Sequence, residues 1–288
     1  MANGGLQYNF ARLSIAEKLI ALNVLVFILD GLSKALLGNS AANWFELPKD
    51  LTEFFGQPWS LVTYSFFHAG IGHIFWNMIM LYFSGRIFLN LFDNHRFINV
   101  YFLGVIFGGI LFLLSYNIFP TLLEANTVLI GASAGVTAVL IFICAYIPNQ
   151  EVRIIFFNVK LWHVGAFFVL VDLIQIPYGG NVGGRLAHLG GALLGYVYAR
   201  QMLKGNDIGL GFTKLREAIA QLFKPREKKA PMKTVYKKKT AKNKNAADYD
   251  KEARQRKIDG ILDKISKSGY ESLSKAEKDF LFNAGKEE

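Results

Sequence analysis

Residues 129–138 read LIGASAGVTA. Within them Gly131, Ala132, Ser133, Ala134 and Gly135 match G-x-S-x-G, a pattern that can present a serine nucleophile on a turn between a strand and a helix. Small residues at the same spacing also serve membrane helices, which use Gly, Ala and Ser where their backbones touch. The run that follows, Val136 to Ile147, is largely apolar. The surroundings decide between the two readings. A nucleophile needs a base and an oxyanion site, whereas a packing motif needs only a neighbouring helix.

Those surroundings are membrane-like. Of the 288 residues, 52% are hydrophobic, with 25 Phe and 12 Tyr, and the mean hydropathy is +0.27. Soluble domains lie nearer about 45–50% apolar, and here the excess falls ahead of Lys224. A spanning helix needs about 20 mostly apolar residues. Six runs fit: 16–37, 73–92, 97–119, 131–147, 154–176 and 186–203. The fourth and sixth are short, so their first residues lie within the membrane thickness. The first is too long for a signal peptide, lacks a small-residue cleavage site, and reads as an uncleaved span. The expected fold is an all-α membrane protein, a six-transmembrane-helix bundle. The one cysteine, Cys144, rules out an intramolecular disulfide and a CxxC metal site and reads as a small buried residue.

Lys and Arg in short loops set orientation. Arg12 and Lys18 flank the first span, Arg86, His95 and Arg96 the second loop, and Arg153 and Lys160 the fourth, and the tail is lysine-rich. These are alternate sides of a six-span chain, which predicts that both termini are cytoplasmic. Spans two, four and six then run from outside to inside. Ser133 falls in the first turn of the fourth, His188 in the first turn of the sixth, His73 opens the second, and Asn77 is one turn further in. At 1.5 Å per residue all four sit within about 10 Å of the outer end of their helix. His95, in a cytoplasmic loop, and His163, in the inner half of span five, do not share that depth. His68, just ahead of span two, reads as a structural hydrogen-bonder.

Ionisable residues within spans are costly and point to function. His188 lies on a helix of small residues, where Ala187, Gly191 and Gly195 form a small-xxx-small row. Gly131 and Gly135 give span four the same property. Two such faces in contact would bring Ser133 and His188 together. A neutral histidine would accept the serine proton and later protonate the leaving amine. The oxyanion would need preorganised donors: the Ser133 backbone N–H, the Asn77 amide and His73, the last two sharing a face as i and i+4. Asp172 is the one acid at suitable depth in span five. A buried hydrogen bond or a cavity-facing charge is its simpler reading, and orienting His188 is the alternative.

HAGIGHIFWN, GASAG and AHLGG together resemble the rhomboid intramembrane serine proteases. H-x4-H-x3-N is met by His68, His73 and Asn77, G-x-S-x-G by Ser133, and A-H-x-x-G-x-x-x-G by Ala187, His188, Gly191 and Gly195. The resemblance covers about residues 13–203. It implies a Ser133–His188 dyad without an aspartate, and an oxyanion hole of His73, Asn77 and the Ser133 amide. His68, Gly131, Gly135, Gly191 and Gly195 would support the site. Span five and loop 177–185 would gate a water-filled cavity. The substrates would be single-span membrane proteins cut near the outer face of a bacterial cytoplasmic membrane. Many members carry Trp-Arg in the first outer loop, where this chain has Trp59-Ser60, which puts the arginine's loop-holding role in doubt.

The expected organisation is a cytoplasmic N-terminus at 1–14, a six-helix domain at 15–206, a basic linker at 207–249 and a helical hairpin at 250–288. Residues 224–288 hold 19 Lys and Arg against 11 Asp and Glu, and attraction to anionic lipid explains that charge without nucleic acid. In the hairpin Ile258, Ile261, Leu262 and Ile265 make one stripe, Gly269 ends the first helix, and Ser274 with Glu277 forms a capping box. Phe280 and Leu281 give the second helix its apolar side. This part resembles the C-terminal extension of rhomboids from Bacteroidetes-type bacteria. The reading that competes with a protease is a catalytically inert rhomboid-like protein that binds membrane clients, although such relatives typically lack the serine or the histidine. A transporter would not need these four residues at one depth. No metal, cofactor or nucleotide is implied.

Overall fold

The computed structural model describes residues 6–119, 127–154, 156–222 and 246–285. The chain divides into two compact units, Met1–Lys224 and Pro225–Glu288.

In the first unit a short helix, α1 (Leu6–Arg12), precedes α2 (Ile15–Leu37). A reciprocal capping box starts α2: Glu17 N–H donates to Ser14 Oγ and Ser14 N–H to the Glu17 carboxylate. Gly38, at φ 71°, ends it. Leu22, Leu25, Ile28, Leu29, Leu32 and Leu36 of α2 are exposed, the surface a lipid-facing span presents. Its buried Asp30 accepts from the Ser40 hydroxyl at 2.8 Å and the Ala42 amide at 3.2 Å, and pairs with Lys34. The start of the long loop is thereby stitched to the end of α2.

That loop contains a two-residue strand, β1 (Leu47–Pro48), and two short helices, α3 (Leu51–Gly56) and α4 (Ser60–Thr63). Then follow α5 (Ile71–Leu91), α6 (Asn94–Ile118), β2 (Val128–Leu129), α7 (Ser133–Tyr146), a hairpin of β3 (Glu151–Ile154) and β4 (Phe157–Lys160), α8 (Leu161–Gln175), α9 (Val182–Leu203) and α10 (Leu210–Leu222). β1 pairs antiparallel with β2, Leu47 opposite Leu129 and Pro48 opposite Val128. The long loop is thus fastened to the segment leading into Ser133.

Each predicted span coincides with a helix. Among the described residues four helices are long and apolar enough to cross a membrane: α2, α5, α6, and α8 with its 3-10 extension to Tyr178. The α7 helix is apolar but has 14 residues, about 21 Å at helical rise. Ten of the 14 are buried, so its all-round apolar surface is met by helices rather than by lipid. In α9 glycines and Arg185 dilute 22 residues. The fifth span is corrected at its start: Ile154 ends β3, Phe157–Lys160 form β4, and the helix begins only at Leu161, with Arg153 opposite Asn158 and Val152 opposite Val159. A short β-branched and aromatic apolar run looks the same to hydropathy whether it is strand or helix. The sixth helix begins at Val182, four residues before the expected start, capped by the Asn181 side chain on the Gly184 N–H.

The expected linker at 207–249 also contains structure, the α10 helix. Asp207 fixes its start by accepting from Tyr198 OH at 2.5 Å, Arg96 Nε at 3.0 Å and the Gly209 N–H at 3.0 Å. Asn99 Nδ2 then donates to the Gly209 carbonyl and the Thr213 hydroxyl. The basic stretch that suggested a linker lies largely in residues 223–245, outside those described.

The core is the stack of α6, α7 and α9. A Cβ on Gly191 would collide with the Ala134 carbonyl oxygen, and one on Gly195 with that of Ala138. Gly108 of α6 faces both partners: a Cβ there would lie 2.6 Å from Ala134 Cβ and 2.7 Å from the Ala187 carbonyl oxygen. Backbone meets backbone at these points, which only glycine permits.

In the second unit α11 (Ala246–Ser268) and α12 (Lys275–Ala284) form a hairpin turned at Gly269, φ 78°. Ser274 and Glu277 make a reciprocal capping box, and Lys264 joins Glu277 at 3.1 Å. Ser274 hydrogen bonds first, then Lys264, hold the Glu277 carboxyl down at about 2. Ile261 of the first helix and Leu273 of the connection are buried.

Gly195→Val should lower the thermal unfolding midpoint in detergent, costing at least the upper end of the roughly 1–3 kcal/mol of overpacking, because the obstructing atom is backbone. Gly211→Ala, with nothing within 4 Å of the added Cβ, should gain up to about 1 kcal/mol from helix propensity.

Candidate active site

The G-x-S-x-G stretch forms a strand, a turn and a helix. After β2 the chain turns at Gly131, φ 121°, a backbone conformation that side chains rarely adopt. Its N–H donates to the Tyr64 carbonyl at 3.0 Å, and Tyr64 OH donates to the Val105 carbonyl at 2.8 Å. The Ala132 N–H faces His68 Nε2 at 3.4 Å. Ser133 then opens α7, half-buried among buried neighbours. The cap position, Ala132, supplies no side-chain hydrogen bond, so the first amides of α7 keep donor capacity.

His73, in the first turn of α5, meets this turn edge-on. A Cβ on Gly131 would lie 2.7 Å from His73 Cε1 and Nε2, and 3.6 Å from Ser133 Oγ. Glycine at 131 therefore leaves room for the imidazole beside the serine. His73 Nδ1 accepts from the Ala69 N–H at 3.4 Å. A neutral imidazole accepting at one nitrogen carries its proton on the other, so the Nε2–H is the edge turned to the serine turn. Asn77 is buried one turn below, and its Nδ2 donates to the His73 carbonyl at 2.9 Å, leaving a second amide hydrogen. His68 is buried, packs edge-on against His73 with ring centroids 5.1 Å apart, and reaches the Ala132 amide. Its Nδ1 has no partner among the described residues.

His188 lies in the second turn of α9, because that helix starts early. The glycine contacts fix its level. Gly191 sits against Ala134 and Gly195 against Ala138, so one turn earlier His188 is level with Gly131. Among the described residues no hydrogen bond joins His188 to Ser133 Oγ. In ligand-free enzymes such bonds are often long and tighten only with substrate bound. His188 Nδ1 instead faces the Asp172 carboxylate, at 3.1 and 3.2 Å from its two oxygens.

From the sequence, a structural hydrogen bond or a cavity-facing charge is the first reading of Asp172 and the orienting of His188 the second; the structure shows the second contact. A signal for its place was available. Leu161, Gly165, Phe168 and Asp172 follow i, i+4, i+7, i+11, and the first three are the side of α8 turned to the core. The other histidines stay apart from the serine: His163 stacks on Trp162 at the start of α8, and His95 meets Arg216 of α10.

Ser60, the departure from the Trp-Arg pair that the resemblance implies, is buried, and its hydroxyl has no partner among the described residues. The loop is held otherwise. Trp59 Nε1 donates to the Trp44 carbonyl at 2.8 Å and Thr63 Oγ1 to the Phe45 carbonyl at 2.9 Å.

Gly131→Ala tests the geometry. A methyl at positive φ would push His73 from the turn; for the oxyanion role expected of His73 from the sequence, loss of one donor corresponds to about 10²–10³ in kcat. A loss of that order in hydrolytic turnover is expected, measured as initial rate at matched expression.

Residues 55–205 match the rhomboid domain, and residues 246–284 match DUF6576, a family of unknown function. RHOMBOID-like protein 12, mitochondrial, of Arabidopsis thaliana is 28% identical over 162 residues, 52% of this chain and 48% of that protein. Presenilin-associated rhomboid-like protein A, mitochondrial, of Danio rerio is 29% identical over 141 residues, 48% of this chain and 36% of that protein. Rhomboid-like protease 1 of Toxoplasma gondii is 28% identical over 142 residues, 49% and 46% of the two chains. The chain thus spans about half or less of the length of these curated relatives. The matched domain covers more than half of the chain and contains α5 through α9 with the serine turn and all three histidines around it, and on that ground the chain is an integral, multi-pass membrane protein belonging to the rhomboid family.

Proposed function

We propose that the protein is an intramembrane serine endopeptidase that uses Ser133 as nucleophile and His188 as general base. The observation that supports this reading is the glycine turn at 131: a Cβ there would stand 2.7 Å from His73 Nε2 and 3.6 Å from Ser133 Oγ, so both groups border the same small space. A turn used only for packing needs no imidazole there.

The chemistry follows. Ser133 Oγ adds to the scissile carbonyl as its proton passes to His188 Nε2. The oxyanion accepts from the Ser133 N–H, His73 Nε2–H and Asn77 Nδ2–H, donors fixed before the reaction begins. The positive end of α7 adds to their field. Collapse breaks the C–N bond as His188 returns the proton to the leaving amine, and water, deprotonated by His188, then releases the acyl group. Asn77 is held by the His73 carbonyl and His68 by the Ala132 amide, so the donors and the turn brace one another. Gly135, Gly191 and Gly195 set the helix spacing on which the alignment depends.

The substrates we propose are single-span membrane proteins, cut near the outer face, with both termini of the protease in the cytoplasm as the Lys and Arg distribution indicates. A peptide bond in a spanning helix is hydrogen-bonded and shielded, so helix-weakening residues at the cleavage site should accelerate the reaction. The relative named a protease supports this reading for its own activity.

Cleavage of a single-span substrate in membranes is expected for wild type and absent for Ser133→Ala and His188→Ala at matched expression. Cleavage that survives Ser133→Ala would refute the reading. Substrate retained by wild type and both variants, with none cleaved and no labelling by a fluorophosphonate, would favour an inert client-binding protein. Replacing Gly, Pro or Ser around the cleaved bond by Ala and Leu should slow turnover, read as initial rate.

A further inference from the structure

We infer that Asp172 is a positioning residue for His188, so that the site works as a relay of Ser133, His188 and Asp172 carried on α7, α9 and α8. This rests on the serine-protease reading above.

The first observation is the geometry. His188 Nδ1 lies 3.1 and 3.2 Å from the two carboxylate oxygens, so one N–H is shared between both acceptors. An ionised carboxylate only accepts. The imidazole proton is therefore held on Nδ1, and Nε2 keeps the lone pair a general base needs. Without that partner the two neutral tautomers compete, and one of them points a hydrogen at the serine. When Ser133 gives up its proton, the Nε2–H bond forms, the imidazolium lies beside the carboxylate, and Asp172 keeps its negative charge. The proton then leaves on the amine.

The second observation is where Asp172 sits. An acid within a span needs a partner, and the Asp172 and His188 side chains are only 17% and 24% exposed. The apolar anchorage of α8 is at its opposite end, where Leu161 is buried and Gly165 fits against Cys144. Towards the Asp172 end, Phe167, Leu170, Leu173 and Ile174 are exposed. That end is held to α9 by polar links. They are the Asp172–His188 pair and the Arg185 guanidinium, which donates to the Gly179 carbonyl at 2.7 Å, the Gln175 carbonyl at 3.0 Å and Gln175 Oε1 at 2.6 Å. Arg185 is engaged with these groups rather than with Asp172. His73 of α5, on the serine side, also lies close enough to His188 to interact with it electrostatically. The carboxylate is thus left to the histidine.

The full-length protein in proteoliposomes tests this with Asp172→Asn and Asp172→Glu against wild type and Ser133→Ala. Asp172→Asn should lower kcat and the rate of fluorophosphonate labelling by about 10–100-fold, the scale on which losing a histidine's outer hydrogen-bond partner acts and short of the roughly 10⁴ of a fully buried triad aspartate. KM should stay within about two-fold, since no substrate contact is removed. Asp172→Glu, which keeps an acceptor, should recover most of the loss. Turnover and labelling of Asp172→Asn within about two-fold of wild type, while Ser133→Ala is inactive, would overturn the role of Asp172 and leave the protease reading standing. Equal losses in Asn and Glu variants with lowered unfolding midpoints would assign Asp172 to packing, and also overturn it. Activity or labelling retained by Ser133→Ala would instead bring down the reading on which the inference rests.

Discussion

The approach of α9 to α7, backbone against backbone at Gly191–Ala134 and Gly195–Ala138, is the constraint on which the rest of the structure depends. Lipid tails are as apolar as leucine, so burial gives helices in a bilayer little reason to associate. Close van der Waals packing supplies it instead. Glycine allows the axes to come nearer than any side chain would, and Gly108 extends the contact to α6. The same contact fixes register. With Gly191 on Ala134, His188 arrives level with the turn that carries Ser133, 55 residues earlier in the chain. The residues that look like packing and the residues that look like chemistry are therefore parts of one arrangement.

Polar groups inside a bilayer must find partners in the protein, and their pairings form the frame around the site. Tyr64 accepts from the Gly131 N–H through its carbonyl and donates from its hydroxyl to Val105, tying loop, turn and α6 together. The β1–β2 pair adds a second tie between the long loop and the serine turn. Around Ser60 the loop is secured by Trp59 and Thr63, whose partners are both backbone carbonyls. A backbone carbonyl is available whatever the sequence, so this part of the fold does not depend on a charged side chain at position 60.

Much of this arrangement was legible in the sequence. Hydropathy located the helices, and common depth gathered His73, Asn77, Ser133 and His188, because helical rise converts position into height without knowledge of packing. The Ser274 capping box and Gly269 turn of the C-terminal hairpin followed from local hydrogen bonding alone. What escaped was lateral. Depth says how far in a residue lies and nothing about which neighbour it faces, so the sequence gives Asp172 its height but offers His188 only as the second of its readings. The end of β3 and the β4 strand were absorbed into span five because Ile154, Phe157 and Val159 are as apolar in a strand as in a helix. The α10 helix was hidden by a basic segment that begins only after it. Its start depends on Asp207 collecting donors from Arg96 and Tyr198, contacts no local pattern announces.

The central claim is that a turn framed by glycines at a helix contact presents an activated serine within the membrane domain. Mass spectrometry of the full-length protein after reaction with a fluorophosphonate, with the modified peptide sequenced, tests it most directly. The account predicts one adduct per chain, on Ser133, formed by wild type and lost in His188→Ala with the protein still folded. An adduct on another residue, or modification of Ser133 that proceeds equally fast without His188, would contradict it.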